Sequence, residues 1–276
     1  MRSHNYAKLG RTVLFSTDEE SSVVFMSKHI ASVSFGKDSV AMLLLLIEKN
    51  VPLDEVMFYD TGMEFNAIYR LRDQLVPKLH KLGIKYVEIK PEVPFLYDML
   101  ERPVSSKQKG NHFGYGWCGG LCRWGTTNKL KALDGYSKDA DKVYIGLAYD
   151  EPKRVERLKG NKVAPLFDWG IPEAEALRYC REHGIHWREG NIDLYDILDR
   201  VSCWCCCNKN QKELRNIRTY LPEYWQRLLA LQRKLNRPMK RFRTDPKFGD
   251  LGNLLNFDAY WNEQDAMDLF SLEEGA

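Results

Sequence analysis

A short polar stretch near the start of this 276-residue chain has the residue types of a phosphate-binding turn. Residues 34–39 read SFGKDS and lie between an apolar, β-branched segment and an apolar segment of helical character. Gly36 allows close approach of the backbone, Ser34 and Ser39 offer hydroxyls, and Lys37 supplies a cation. A turn that opens a helix also directs free backbone N–H groups at an anion. The stretch therefore predicts a phosphate site, although it fits neither the Walker A pattern nor the dinucleotide-binding GxGxxG pattern.

Two cysteine pairs form a second candidate centre. Cys118 and Cys122 lie in a glycine-rich turn, and Cys203 and Cys206 follow more than eighty residues later. If the pairs meet in space, they supply four thiolates, which suit a tetrahedral Zn²⁺ or a [4Fe–4S] cluster. The spacing does not separate these two metals.

Other residues near these pairs leave the ligand set open. Cys205 or Cys207 could replace Cys206 as the fourth ligand, and the one left over could carry a persulfide. His112 is a further candidate ligand. Cys180 lies alone in a helical stretch and is expected to be a small buried hydrophobe.

Strand-like and helical segments alternate around these candidates. This alternation predicts an α/β fold, a doubly wound and mostly parallel sheet with helices on both faces. In such a sheet, ligands bind beyond the carboxyl ends of the strands, which is where residues 34–39 fall. The predicted strands are His29–Phe35, Glu55–Tyr59, Tyr86–Ile89 and Val143–Ala148. The predicted helices are Ser39–Glu48, Glu64–Leu82, Arg123–Leu133, Pro172–His183, Lys209–Tyr220 and Glu223–Asn236.

The domain organisation follows from the same patterns. We expect an N-terminal extension over residues 1–25, a nucleotide-binding domain over 26–207 and a helical C-terminal region over 208–276. The longest apolar run, Val40–Ile47, is far too short to cross a bilayer, and the first 25 residues do not read as a signal peptide. A soluble, cytoplasmic protein without a membrane partner is the expectation.

Charge is unevenly distributed along the C-terminal region. Residues 208–247 contain twelve Lys or Arg and three acids, whereas residues 250–276 contain seven acids and no Lys or Arg. The basic block could bind a polyanion such as a nucleic acid, or it could fold against the acidic tail. The sequence leaves both interpretations open.

Four segments, in order along the chain, resemble the phosphoadenosine phosphosulfate reductase-like family of PP-loop ATP pyrophosphatases. Residues 34–39 resemble the family's S-x-G-K-D-S loop, and residues 60–64, DTGME, resemble its D-T-G-x-E motif. Gly146, Glu151 and Arg154 resemble its G-x-R-x-x-E-x-x-R segment. Residues 165–169, PLFDW, and residues 194–206, LYDILDRVSCWCC, resemble its P-L-x-D-W segment and its closing Tyr-then-Cys region. Together the matches run from Ser34 to Cys207.

The resemblance implies roles for individual residues. Members split ATP between its α and β phosphates with Mg²⁺ and release pyrophosphate. Asp60 and Thr61 are implied to lie near adenine, ribose or Mg²⁺, although Asp60 could instead cap the following helix. Lys37, Asp38 and Arg154 are the implied catalytic residues, although Arg154 could be a plain surface residue. The implied phosphate cradle consists of Ser34, Phe35, Gly36, Lys37, Asp38 and Ser39.

The family also indicates a branch and a reaction. Several relatives in sulfur metabolism carry a [4Fe–4S] cluster, which favours iron–sulfur over zinc at Cys118, Cys122, Cys203 and Cys206. We expect an enzyme that adenylates an acceptor, with coupled sulfur transfer from a donor protein. A nucleic acid bound by residues 208–247 would be the acceptor.

Two departures from the family pattern bear on this prediction. Ala148 stands where members often carry Arg, so a substrate contact is absent or comes from elsewhere. Sulfonucleotide reductases use a cysteine near their C-terminus and usually lack the loop lysine, whereas this sequence has Lys37 and no cysteine after Cys207. The rival interpretations are a sulfonucleotide reductase, a sulfate-type adenylyltransferase and a nucleotide-sensing subunit of a larger complex.

Overall fold

The computed structural model describes residues 27–107, 110–118 and 122–273, with side chains described as far as residue 268. The predicted extension over residues 1–25 lies outside these ranges. The strands are β1 His29–Ser32, β2 Glu55–Tyr59, β3 Lys85–Ile89, β4 Pro103–Ser106, β5 Gly110–Phe113, β6 Lys142–Ile145, β7 Lys162–Val163, β8 Arg188–Glu189, β9 Ile192–Asp193, β10 Thr244–Asp245 and β11 Gly249–Asp250. The helices are α1 Lys37–Glu48, α2 Asn66–Lys81, α3 Phe95–Leu100, α4 Lys129–Ser137, α5 Pro152–Val155, α6 Pro165–Asp168, α7 Glu173–Glu182, α8 Leu194–Ile197, α9 Gln211–Tyr220, α10 Pro222–Lys234 and α11 Leu254–Glu273.

A five-stranded parallel sheet forms the centre of the fold. Its strand order is β3-β2-β1-β6-β7, and every neighbouring pair is parallel. All five residues of β2 are buried, which explains why the four residues after Glu55, Val56–Tyr59, are apolar without alternation. Helix α1 is buried along most of its length and packs against α7 on one side of the sheet. The predicted doubly wound α/β fold is confirmed.

The segment predicted as one helix over Arg123–Leu133 has two parts. Residues Arg123–Asn128 form a turn of π-helix, and α4 follows it. The carbonyl of Cys122 accepts hydrogen bonds from the N–H groups of both Thr126 (3.0 Å) and Thr127 (3.1 Å), so the turn is widened by one residue. The Cys122 thiol accepts a further bond from Gly125 N–H at 3.3 Å. Wide turns of this kind are frequent at functional sites.

The C-terminal helices pack onto the same hydrophobic core as the sheet. Leu214 and Ile217 of α9, Leu228 of α10 and Phe257 of α11 are almost completely buried in it. Acidic residues of α11 pair with the basic block: Arg218 Nε lies 3.0 Å from Asp258 Oδ1, and Arg215 pairs with Asp265. Part of the basic block is therefore neutralised within the chain. Among the helices of the described ranges, none is both long and apolar enough to cross a membrane.

Candidate functional site

The 34–39 turn lies where the direction of strand addition reverses. The chain adds β2 and β3 on one side of β1 and then places β6 on its other side. In open α/β sheets, this reversal leaves a crevice at the carboxyl ends of the strands, where ligands bind. The turn begins directly after β1 and leads into α1, as the sequence predicts.

Phe35 gives the turn its shape. Its φ of 57° is in the left-handed region, which costs a residue other than glycine on the order of 1 kcal/mol or more. The ring is fully buried and meets Phe58 edge to face at 5.2 Å between centroids. The Phe35 carbonyl accepts a hydrogen bond from Trp187 Nε1 at 2.6 Å. Packing and this bond hold the turn open towards the crevice.

Two serines and two glycines shape the bottom of the turn. Ser39 Oγ donates to the Gly36 carbonyl at 2.9 Å and accepts from the Ser34 N–H at 3.2 Å. A Cβ on Gly146, which follows β6, would stand 2.7 Å from Cα of Ser39. Any larger residue at position 146 would displace the turn, which gives a physical reason for the glycine in the third family-like segment.

Lys37 is anchored at both ends. Its backbone N–H, one of the amides that α1 leaves without an intrahelical partner, donates to the Tyr195 hydroxyl at 2.8 Å. Its ammonium is buried and lies 2.9 Å from Asp38 Oδ1 and 2.6 Å from Glu173 Oε2. Burial raises the pKa of Asp38 above its ordinary value, and the charge of Lys37 opposes that effect.

Two arginines face this lysine across a small pocket. Arg154 Nη1 donates to Oε1 of Glu151, and Arg200 Nη2 lies 3.2 Å from the same oxygen and 3.6 Å from Glu173 Oε1. Ala148, at the position where the family often has Arg, is completely buried. Arg200 thus brings a guanidinium to the pocket from the segment before the second cysteine pair. Sequence reasoning missed Arg200 and Glu173, because no local pattern marks either of them.

Glu151 has a free oxygen in this pocket. The residue is 7% exposed, and within the described part of the chain its Oε2 is buried without a hydrogen-bond partner. A buried carboxylate oxygen without a hydrogen-bond partner destabilises the protein. A metal cation bound together with a ligand would give this oxygen a partner.

Three cavities meet at Ser34 and Arg154, which border all of them. The phosphate pocket, about 210 Å³, is lined by Gly36, Lys37, Asp38, Ser39, Glu151 and Arg200. The apolar pocket, about 400 Å³, lies under α4 and over the ends of β1, β2 and β6. The cysteine cavity, about 370 Å³, lies on the side of residues 200–208. A single ligand can therefore reach from the phosphate pocket into either neighbour.

The two residues that follow β2 have different surroundings. Asp60 accepts hydrogen bonds from the Gly62 N–H at 2.8 Å and the Tyr69 hydroxyl at 2.7 Å, so it braces its own turn and α2. Thr61 lines the cysteine cavity, donates to Glu64 Oε1 at 2.8 Å and lies 3.5 Å from Cys203 Sγ. Of the pair, Thr61 is the one placed beside the candidate centre.

All four cysteines proposed as metal ligands line the cysteine cavity. Cys205 and Cys207 line it as well, whereas Cys180 is buried beneath α1, with Sγ 3.5 Å from the Lys37 carbonyl. His112 lies on β5, where its ring contacts the Gly110 carbonyl. Within the described ranges, no three His, Cys, Asp or Glu side chains stand close enough together to enclose a metal ion.

The surroundings of the thiols in this cavity shift their pKa values in different directions. A hydrogen bond from Cys122 lowers the pKa of Cys118 to about 6 and raises that of Cys122. Desolvation raises the pKa values of Cys203 and Cys205 well above the usual range, and that of Cys207 to about 11. Among these five thiols, Cys118 is the one whose pKa is lowered in the metal-free protein.

Three further side chains in this cavity carry polar groups; Glu64 belongs to the DTGME motif, whereas sequence reasoning did not single out Trp117 or Lys129. Glu64 lies beside Cys203, and burial raises its pKa. Trp117 is 2% exposed, and its Nε1 is buried without a partner in the described structure. Lys129 borders both the cysteine cavity and the apolar pocket. The only sequence signal for Trp117 and Lys129 is that they lie within seven residues of Cys118 or Cys122.

The chain is similar in sequence to several known proteins. The chain is 28% identical over 185 residues to the adenosine 5′-phosphosulfate reductase of Staphylococcus epidermidis, covering 63% of this chain and 69% of the relative. The corresponding reductase of Staphylococcus saprophyticus is 27% identical over 176 residues, covering 60% of this chain and 66% of the relative. An uncharacterised protein of Methanocaldococcus jannaschii is 22% identical over 210 residues; these are 72% of this chain but 40% of that longer relative.

One solved structure resembles the fold weakly. The U34-tRNA thiolase NcsA from Methanococcus maripaludis, solved with its [4Fe–4S] cluster, superposes with a TM-score of 0.43 at 17% identity, over 82% of this chain and 77% of that one. A superposition of this quality carries no argument about function. The family model of the phosphoadenosine phosphosulfate reductase domain, by contrast, matches residues 28–206, well over half of the chain. The chain belongs to the phosphoadenosine phosphosulfate reductase domain family.

Proposed function

We propose that this protein splits ATP at the 34–39 turn, adenylates an acceptor and couples that step to sulfur transfer at the cysteine cavity. The observation that carries the proposal is the meeting of the phosphate pocket, the apolar pocket and the cysteine cavity at Ser34 and Arg154. A nucleoside in the apolar pocket and phosphates on the turn would bring the α-phosphate next to the cysteines.

The charges of the phosphate pocket suit this substrate. Lys37, Arg154 and Arg200 supply three cations for the charge that develops on the phosphates, and the amides at the start of α1 add hydrogen-bond donors. The free Oε2 of Glu151 fits a Mg²⁺ ion bound together with the triphosphate. An acceptor oxygen would attack the α-phosphorus, the bond to the β-phosphate would break, and pyrophosphate would leave.

The donor types around the cysteine cavity suit an iron–sulfur cluster, although the described thiols stand too far apart to enclose a metal ion and would have to close around one. Cys118, Cys122, Cys203 and Cys206 are unpaired thiols around one cavity. The unpartnered Trp117 Nε1 is a donor of the kind that hydrogen-bonds to cluster sulfurs. A bound [4Fe–4S] cluster would supply iron able to hold sulfide. Attack of hydrosulfide on the carbon that carries the adenylated oxygen would form a C–S bond, break the C–O bond and release AMP, with no change of oxidation state.

A pyrophosphate assay tests the adenylation step. The protein, purified without oxygen, is incubated with ATP and Mg²⁺, and pyrophosphate and AMP are measured with and without candidate acceptors. Acceptor-dependent release of both products is expected from the parent protein and absent from Lys37→Ala. A parent protein that binds ATP but releases no pyrophosphate with any acceptor would favour a nucleotide-sensing role instead.

Metal analysis tests the sulfur-transfer step. Iron, zinc and acid-labile sulfide are measured per chain, together with the visible absorption spectrum. About four irons and four sulfides per chain would support the cluster. One zinc and no sulfide would make the cysteines structural and leave plain adenylyl transfer.

Sulfonucleotide reduction is a second candidate, favoured by the identity to the staphylococcal reductases. It predicts release of sulfite from adenosine 5′-phosphosulfate in the presence of a thiol reductant. Lys37 within the phosphate pocket argues for a triphosphate rather than a sulfonucleotide, since it adds a cation beside the phosphates. Sulfite release without pyrophosphate release from ATP would assign the chain to this second activity.

A further inference from the structure

A strongly basic segment borders the cysteine cavity. The described residues 102–107, 110–118 and 122–133, here called the basic segment, contain five Lys or Arg and no Asp or Glu. Lys107, Arg123 and Lys131 are exposed, while Trp117 and Lys129 of the same segment line the cavity. Like charges in one segment beside a cavity raise the local concentration of polyanions.

The hairpin of β4 and β5 presents an aromatic ring from this segment. Phe113 is 76% exposed, which is unusual for so large an apolar side chain. The next residue fixes the root of the hairpin: Gly114 N–H donates to the Arg102 carbonyl at 2.8 Å, and a Cβ at position 114 would stand 2.3 Å from the Met99 carbonyl oxygen. Phe113 is thus held outward from a tightly packed base, as a platform on which an unpaired base can stack.

A pocket beside the hairpin gathers further cations. This pocket, about 490 Å³, is lined by the cations Lys90, Arg102 and Lys131 and by the acids Glu92 and Asp98. Lys90 pairs with Glu88 at 3.0 Å, whereas Lys131 is exposed at the start of α4. Asp98 connects it to the cysteine cavity, because its carboxylate pairs with Arg102 and accepts from Trp124 Nε1 at 3.3 Å. The pocket and the cavity are therefore separated by little more than one side-chain layer.

The basic block over residues 208–247 is less available than its composition suggests. Arg215, Arg218 and Lys247 pair with acidic residues of α11, and Lys209 is buried. Lys240 Nζ donates to the carbonyls of Asn208 and Lys209, each at 3.3 Å. These five of the twelve basic side chains of the block are therefore held by contacts within the chain.

We propose that the basic segment binds a single-stranded nucleic acid and leads it to the cysteine cavity. Its phosphates would lie along Lys107, Arg102 and Lys131, and one unpaired base would stack on Phe113. The inference rests on the proposed function in that this strand would be the acceptor. It places the nucleic-acid strand on the basic segment rather than on residues 208–247.

Equilibrium binding tests the surface without any turnover. Fluorescein-labelled (dT)20, (rU)20 and a 20-base-pair duplex are titrated with the full-length protein by fluorescence anisotropy, over a range of KCl concentrations. The test variant is Lys107→Glu/Lys131→Glu. The matched control is Lys212→Glu/Lys234→Glu, which makes the same charge change at exposed positions of α9 and α10. All four lysines are exposed, so folding is checked simply by the thermal midpoint.

The expected pattern separates the two basic regions. The test variant should lose at least tenfold in affinity for single strands, and its slope of log K against log salt should fall by about 1.4, the loss of two phosphate contacts. The control should change by less than twofold. The reverse pattern, or no binding of either homopolymer at low salt, would overturn the proposal. Since ATP is not involved, loss of pyrophosphate release alone would count against the proposed function and not against this surface.

Phe113→Ala tests the stacking step separately. Single-strand affinity should fall about tenfold with an unchanged salt slope, because stacking involves no counterion release. The duplex, whose bases are already stacked, should bind more weakly than the single strands and should not respond to the substitution. Equal loss for duplex and single strand would overturn the stacking role of Phe113.

Discussion

The ammonium of Lys37 lies 2.6 Å from Oε2 of Glu173, a residue at the start of α7 that is 136 positions away in sequence. The same nitrogen lies 2.9 Å from Asp38 Oδ1. In this arrangement, Glu173 and a bound phosphate would compete for one cation. The two carboxylates offset the cost of burying the Lys37 ammonium, and a phosphate must displace Glu173 to reach it.

Glu173→Gln should therefore strengthen nucleotide binding. Without the Glu173 carboxylate, Lys37 keeps only Asp38 as an ion-pair partner. A phosphate then binds the Lys37 ammonium more strongly, because it no longer competes with Glu173. We expect the Kd for ATP to fall severalfold in titration calorimetry, whereas Lys37→Ala should lose about 100-fold or more in pyrophosphate release. Glu175→Gln, at an exposed position of α7, is the control. Weaker ATP binding by Glu173→Gln would mean that Glu173 holds the nucleotide, for example through Mg²⁺.

Gly146→Ala should damage the phosphate turn more than the fold. Its Cβ would stand 2.7 Å from Ser39 Cα, so α1 or the turn must shift. Overpacking of this kind costs about 1–3 kcal/mol, and the shift falls on the atoms that would hold phosphate. ATP affinity should drop at least tenfold, while urea unfolding still shows one cooperative transition. Gly135→Ala in α4, whose Cβ meets nothing within 4 Å, should leave ATP affinity unchanged.

The parts of the site that the sequence predicts are those set by local pattern. Residues 34–39 follow a short apolar strand and precede an apolar helix, and neither feature depends on distant contacts. The apolar residues of β2 are likewise predicted from the local sequence, because a central parallel strand is buried on both faces. Arg200, Glu173 and the Tyr195 bond to Lys37 depend on segments that only the complete fold brings together.

Two further features that the sequence did not predict also depend on contacts that residue types alone do not specify. The π-turn at Arg123 arises from two amides sharing one carbonyl of Cys122, which residue propensities do not encode. The charge pattern of the C-terminal region left two interpretations open, because like charges in sequence do not reveal their partners. The pairing of Arg218 with Asp258 shows that part of the basic block folds against the acidic tail.

The cysteine assignments predict a graded series of metal contents. Serine at Cys118, Cys122 or Cys203 should lower iron per chain by more than half, because each removes a thiolate that serine does not replace. Cys180→Ser is the matched control and should keep the parent's iron content. Iron loss from Cys206→Ser, with retention in the Cys205 and Cys207 variants, identifies Cys206 as the fourth ligand. Full iron in all of these variants would contradict a cysteine-held metal.

The pKa of Cys118 predicts the pH dependence of its alkylation in the metal-free protein. The hydrogen bond from Cys122 lowers this pKa to about 6, so the thiolate predominates at pH 7 and is lost as the pH falls below 6. Iodoacetamide labelling followed by peptide mass spectrometry should show a midpoint near that value. Cys122→Ala should raise the midpoint towards the ordinary thiol value. Cys180, whose pKa burial raises to about 12, should stay unlabelled at pH 8.

Asp265 should stabilise the docking of α11 at neutral pH and lose that effect in acid. Hydrogen bonds from Arg215 and Arg218 lower the pKa of Asp265 in the folded protein. Its contribution to the free energy of unfolding is therefore fully present above the unfolded carboxyl pKa, about 3.9. That contribution disappears as the pH falls through the lower folded value. Because Asp265 is partly exposed, Asp265→Asn should cost no more than about 1 kcal/mol at pH 7. Urea unfolding at pH 7 and pH 3 measures the difference, with the exposed Asp139→Asn as control. An equal loss at both pH values would show that Asp265 acts through packing rather than through its charge.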